Sequence, residues 1–131
     1  MKRFVAALAI VAAGAAHAAT HGAATGGGSY YVEWTSEPDP LPLNALFALR
    51  VRVLRGDDRA TPVAGAQVTA SAWMPEHNHG TTLQPDVAPQ ADGSATVTGL
   101  LLHMPGHWEL RIGVAANGQM ERVVFPVDLE P

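Results

Sequence analysis

The chain has 131 residues, with eight Lys and Arg against twelve Asp and Glu, a formal net charge of −4, and no cysteine. An acidic chain without a basic stripe is a poor candidate for binding nucleic acid or an anionic membrane surface. The absence of thiols excludes disulfides and cysteine-based zinc sites, so any soft metal ligand must be methionine or histidine.

Residues 1–18 have the order of a secretory signal peptide. Lys2 and Arg3 precede a mostly apolar run, which is followed by small residues that end in Ala16, His17 and Ala18. This run is too short to cross a membrane, because a spanning helix needs roughly 20 apolar residues. We therefore expect export to the periplasm and cleavage after Ala18, with retention of the signal as an anchor as the alternative. The mature chain would keep six arginines and twelve acids, a charge of −6.

Residues 19–29, with the sequence ATHGAATGGGS, are rich in glycine and alanine and contain almost no large apolar side chain. Such a segment cannot bury enough surface to order itself, so the sequence predicts a flexible leader. On this interpretation His21 is a solvated histidine without a role.

From residue 30 onward, short apolar runs alternate with turn residues, which is the pattern of strands rather than helices. The pair Asn117 and Gly118 is typical of a two-residue type I′ hairpin turn, because both central positions of that turn need a positive φ. Six strands are predicted, at residues 30–35, 45–54, 67–73, 95–102, 108–115 and 119–129.

The alternation of side chains predicts which strand faces are buried. Leu49, Val51 and Val53 share one face of the second predicted strand, and Arg50 and Arg52 share the other. Six or seven such strands without a convincing helix predict an all-β fold, an immunoglobulin-like antiparallel β-sandwich over residues 30–131. Its core is expected to include Phe47, Val68, Leu110, Ile112 and Phe125.

The phrase Met-Pro-x-His occurs twice, at residues 74–77 and 104–107. Each copy lies beside a predicted turn, and the prolines favour a bend there. Side chains two residues apart in an extended strand share a face, so His77 and His79 would present two imidazoles to one ion. If both copies lie at the same end of the sandwich, four imidazoles and two thioethers converge. The candidate metal ligands are Met74, His77, His79, His103, Met104 and His107.

Imidazole and thioether ligands without a thiolate favour copper, because sulfur suits Cu(I) and imidazole accepts Cu(II) as well. Zinc fits less well, since only Glu76 adds a carboxylate. Structural roles stay open for the same residues. Alternation places Met74 on a buried face, Met104 could close the end of the sandwich, and the histidines could be solvated surface residues.

These segments also resemble a known family. The stretches GAQVTASAWMPEHNHG and GLLLHMPGHWELRI, with Pro85 and the turn at Asp92 and Gly93 between them, are similar to the YtkA-like domain, which is related to FixH-type bacterial proteins. The resemblance covers roughly residues 43–127. It implies a small β-sandwich in an exported or membrane-anchored protein and an association with the handling of metal, particularly copper.

Two functions follow as alternatives. The first is a periplasmic copper-binding module that carries or senses the ion through the two Met-Pro-x-His loops. The second is a metal-free interaction domain whose loops fit a partner, such as a membrane transporter assembly or another periplasmic protein. The chain lacks a nucleophile elbow, a phosphate-binding loop and a His-Glu-x-x-His helix, so we do not expect an enzyme.

Overall fold

The computed structural model describes residues 18–131, so the predicted signal peptide lies outside the described residues except for Ala18. These residues form nine strands and one short 3-10 helix at Pro75–His77. The strands are β1 (His21–Ala24), β2 (Tyr30–Glu37), β3 (Phe47–Arg55), β4 (Gln67–Met74), β5 (His79–Gly80), β6 (Asp86–Pro89), β7 (Ala95–Leu100), β8 (Gly106–Ala116) and β9 (Gln119–Leu129).

The strands form two antiparallel sheets, which confirms the predicted all-β sandwich. One sheet has the order β1-β2-β3-β7-β6, and the other has the order β5-β4-β8-β9. The strand number exceeds the expected six or seven because β1, β5 and β6 have only two to four residues each. Within the described residues, no helix is long and apolar enough to cross a membrane.

The core lies between the two sheets, on the faces that the alternation predicts. In β3 the apolar residues 49, 51 and 53 are buried, and Arg50 and Arg52 are exposed. Four of the five expected core residues are buried, whereas Val68 is only partly buried and packs at the margin of the core. The hairpin of β8 and β9 is also confirmed, since Asn117 and Gly118 have φ values of 52° and 73°.

The expectation of a flexible leader at residues 19–29 is wrong from His21 onward, because β1 begins at that residue. β1 pairs with β2, with His21 opposite Trp34, and their rings stack with centroids 4.1 Å apart. Thr25 is buried and donates a hydrogen bond of 2.7 Å to Glu121, and hydrogen bonds from Ser29 and Thr25 lower the pKa of Glu121. Composition missed this because backbone pairing with a neighbouring strand orders small residues without burying large side chains.

Candidate functional site

The first Met-Pro-x-His segment forms a tight turn at the end of β4. Pro75 begins the 3-10 helix, which ends before Asn78, and Asn78 adopts a left-handed φ of 52°. The chain then returns along β4 as the short strand β5, with His79 opposite Met74. The expected extended arrangement of His77 and His79 is therefore replaced by a turn, and Asn suits the left-handed position because it tolerates positive φ better than most residues.

Three imidazoles lie next to one another at this end of the sandwich. The ring centroids of His77 and His79 are 5.6 Å apart, and those of His79 and His103 are 5.3 Å apart. His79 therefore occupies the middle of the group. We call His77, His79 and His103 the histidine cluster. Its members come from both predicted loops, so the predicted convergence of the loops is observed for these three residues.

The ring nitrogens of the cluster differ in their hydrogen bonding. The Nδ1 of His79 lies 3.0 Å from the carbonyl oxygen of Gly80, and since a carbonyl only accepts, Nδ1 must carry the proton. In the neutral ring the lone pair is then on Nε2 and is available to a metal ion. The Nδ1 of His103 is buried and has no hydrogen-bond partner among the described residues. An unpaired buried nitrogen costs free energy, so it favours a ligand that would pair with it.

Trp108 lies beneath the cluster. Its ring centroid is 5.8 Å from that of His79 and 5.5 Å from that of His103, and the side chain is fully buried. The indole Nε1 donates a hydrogen bond of 3.0 Å to the carbonyl oxygen of Met104. This bond fixes the backbone next to His103. The alternation of side chains along β8 predicts that Trp108 is buried, because it shares a face with Leu110 and Ile112, but it does not predict which side chains Trp108 contacts.

The two candidate methionines occupy different environments. Met74 is 1% exposed and belongs to the core. Its Cε lies so close to Gly106 that a Cβ on Gly106 would be 2.7 Å away. Met104 is only partly buried and packs against the edge of the core. The burial of Met74 agrees with the core role that is one of its two sequence-based interpretations. Met104 directly follows His103 of the histidine cluster in the sequence.

His107 is directed to a different partner. It lies in β8 opposite Asp128 of β9, and its Nδ1 is 2.8 Å from a carboxylate oxygen of Asp128. The contact is on the surface, since the His107 side chain is 39% exposed and that of Asp128 is 78% exposed. The structure thus places His107 in a strand pair and not among the rings of the histidine cluster.

The geometry of the histidine cluster can be compared with that of a metal site. The described residues contain no ready group of three His, Cys, Asp or Glu side chains placed to hold an ion. Two imidazoles that bind one ion through nitrogens at about 2.0 Å hold their ring centres roughly 5 to 6 Å apart. The observed centroid distances of 5.3 and 5.6 Å fall in this range. The ring spacing is thus the same as in a pair of metal-bound imidazoles, but the three side chains are not arranged as a ready metal site.

Comparisons with known proteins agree with the fold. The family described as YtkA-like matches residues 29–113, which confirms the resemblance inferred from the Met-Pro segments. A similar solved structure is that of a DUF4426-family protein from Pseudomonas aeruginosa PAO1. It is 15% identical, has a TM-score of 0.59, and the alignment covers 86% of this chain and 95% of that chain. At this identity the similarity shows the fold alone. Comparison with curated proteins gives no match.

Proposed function

The chain belongs to the YtkA-like family, and we propose that it is an exported, periplasmic module that binds copper through the histidine cluster. The observation that carries the proposal is the buried Nδ1 of His103, which has no partner although its ring lies beside that of His79. A bound ion would satisfy this nitrogen. The cluster also offers the free Nε2 of His79 and the exposed ring of His77.

Copper is the metal that suits these ligands. The chain provides imidazole and thioether groups and no thiolate, and copper accepts both of them in its two oxidation states. Met104 follows His103 directly and is the nearest sulfur ligand in sequence. Met74 is buried in the core and His107 is paired with Asp128, so we assign the binding role to His77, His79 and His103 first.

We also propose that the protein binds rather than catalyses. The acids nearest to the cluster in sequence are Glu76, which is exposed, and Glu109, which accepts hydrogen bonds from Arg111. Either could serve as a general acid only if a substrate pocket formed around it. The competing hypothesis is a metal-free accessory domain of a membrane transport or assembly system. The absence of a ready three-ligand group among residues 18–131 favours that hypothesis, so the experiment must separate the two.

The test is a competition titration of Cu(I) and Cu(II) against chelators with the processed protein. His21 is replaced by alanine in every variant, so that this histidine near the N-terminus cannot add a ligand of its own to the measured affinity. We expect the double variant His79→Ala with His103→Ala to bind copper at least about 100-fold more weakly than the parent, because two of three imidazole ligands are removed. The matched control is His107→Ala, which removes one imidazole from the same end and should change the affinity less than about twofold.

Two results would contradict the proposal. One is a double variant that binds copper as tightly as the parent and remains folded by circular dichroism. The other is a His107→Ala protein that loses as much affinity as the double variant, since His107 would then be as important a ligand as the cluster, contrary to the assignment. If the parent binds no copper in either oxidation state, the metal-free accessory role replaces the proposal.

A further inference from the structure

Cleavage after Ala18 would give the mature protein the N-terminal sequence Ala19, Thr20, His21. A free N-terminal amine followed by a histidine at the third position is a chelating unit. The amine, the backbone nitrogens of the second and third residues, and the imidazole can form a square of four nitrogens around one ion. Square-planar nitrogen coordination is the geometry that Cu(II) and Ni(II) prefer.

The structure leaves Ala19 and Thr20 outside the sheet, whereas His21 is the first paired residue of β1, so its amide must leave the pair with Trp34 to join the chelate. Residues 18–20 have no regular secondary structure and are exposed, and β1 begins at His21 as an edge strand. The backbone nitrogen of Ala19 lies 3.0 Å from a carboxylate oxygen of Asp39. After cleavage this nitrogen is the terminal amine, and Asp39 would hold it close to the start of β1.

We propose that removal of the signal peptide creates a second metal site, which takes Cu(II) or Ni(II) through the amine of Ala19, the amides of Thr20 and His21, and the imidazole of His21. This site depends on the proposed export and cleavage after Ala18. It does not depend on the histidine cluster, because it shares no ligand with it. Binding releases one proton from the terminal ammonium group and one from each of the two amides to the solvent, so affinity rises with pH.

The ring of Trp34 packs against the imidazole of this site. The His21 and Trp34 rings stack with an interplanar angle of 18° and centroids 4.1 Å apart, and Trp34 is 3% exposed. The imidazole of such a chelate lies near the plane of the four nitrogens. If the stack persists, the copper square lies nearly parallel to the indole. Paramagnetic Cu(II) at this position should quench the fluorescence of Trp34 strongly.

The two sites differ in chemistry. Deprotonated amide nitrogens stabilise the higher oxidation state, so the N-terminal site is specific for Cu(II) and Ni(II). The histidine cluster has only imidazole and a neighbouring thioether, which also suit Cu(I). Cu(I) is therefore the selective probe for the cluster. Imidazoles also bind Ni(II), so the N-terminal site is identified by the square-planar four-nitrogen absorption of its bound Cu(II) or Ni(II).

The test begins with mass spectrometry of the processed protein isolated from the periplasm, which should show Ala19 as its first residue. Cu(II) is then titrated and followed by visible absorption and electron paramagnetic resonance, and Ni(II), which is diamagnetic in square-planar coordination, is followed by visible absorption alone. We expect one ion bound by four nitrogens in the processed protein and none in precursor that keeps residues 1–18. An N-terminus other than Ala19 overturns the proposal.

Matched variants at Thr20 isolate the role of the backbone. Thr20→Pro removes the amide hydrogen at the second position, so the four-nitrogen spectrum should disappear and affinity should fall by about 100-fold or more. Thr20→Ala keeps the amide and should change affinity less than about threefold. His21→Ala should abolish the site, as Thr20→Pro does. Trp34→Phe should remove the quenching of tryptophan fluorescence by Cu(II) at this site, while binding persists. Equal affinity in the two Thr20 variants would overturn the proposal.

Discussion

The two Met-Pro-x-His segments have the same residue order but different structures. In residues 74–77 the phrase follows a strand, so Met74 ends β4 in the core and His77 lies exposed in the turn beyond it. In residues 104–107 the phrase precedes a strand, so Met104 is in the connection and His107 is already the second residue of β8. The position of the phrase relative to the strand therefore decides that Met74 is buried while Met104 is not. It also decides that His77 belongs to the cluster while His107 lies in a strand.

The two histidines of the repeated phrase, His77 and His107, do not lie in the same cluster. The histidine of the second segment whose ring lies beside that of His79 is His103, which precedes the second phrase and is not part of it. His107, which corresponds to His77 in the repeat, pairs with Asp128 instead. The repeated sequence therefore does not produce a symmetric site. His107 is held in the β8–β9 ladder, whereas His77 lies in the turn after β4.

The largest expected difference between the two segments is in stability. Met74→Ala should lower the free energy of unfolding by about 2 to 5 kcal/mol, because it empties a fully buried position in the core. Met104→Ala removes the same atoms from a partly buried position and should cost roughly 1 kcal/mol or less. Urea denaturation of both variants measures the difference. Equal costs would mean that the two methionines pack alike, contrary to the structure.

A smaller effect is expected at the glycine where the second segment enters β8. Gly106 has a φ of 126°, and a Cβ there would lie 2.7 Å from the Cε of Met74. Gly106→Ala should therefore cost about 1 to 3 kcal/mol, from backbone strain and from displacement of Met74. Gly118→Ala is the control, since Gly118 has a φ of 73° but an added Cβ meets nothing within 4 Å.

A double-mutant cycle separates the two causes at Gly106. In the Met74→Ala background the steric part of the cost should vanish, and the remaining cost should approach that of Gly118→Ala. If the cost of Gly106→Ala is the same with and without the Met74 side chain, the first and second segments are not in contact through this pair. Thermal and urea unfolding of the four proteins give the coupling energy.

The smallest effect is expected for the pair of His107 and Asp128. Asp128→Asn should change the free energy of unfolding by less than about 1 kcal/mol, because polar contacts between exposed side chains compete with water and contribute little to stability. Copper affinity in the His21→Ala background should stay within about twofold of the parent. A large loss of affinity would show that the strand pair supports the histidine cluster, and the contrast between the two segments would then fail.

Local sequence patterns were sufficient for most of the fold. The alternation of apolar and charged residues fixes the faces of β3, and Asn117 with Gly118 fixes the hairpin of β8 and β9. These features were predictable because the two-residue period of a strand and the positive φ of a type I′ turn are properties of neighbouring residues. The short strands β1, β5 and β6 were not predicted, since their few residues carry too little alternation to be recognised.

The sequence by itself determined which residues could serve as ligands, because the content of histidine and methionine and the lack of cysteine are chemical facts of the chain. The tertiary structure decided which of them meet. β4 and β8 are neighbours in one sheet, and this pairing brings His79 against His103, while the ladder of β8 and β9 brings His107 against Asp128. Register across strands depends on contacts between residues distant in the chain, so no local pattern could assign one histidine to the cluster and the other to a hydrogen bond with a carboxylate.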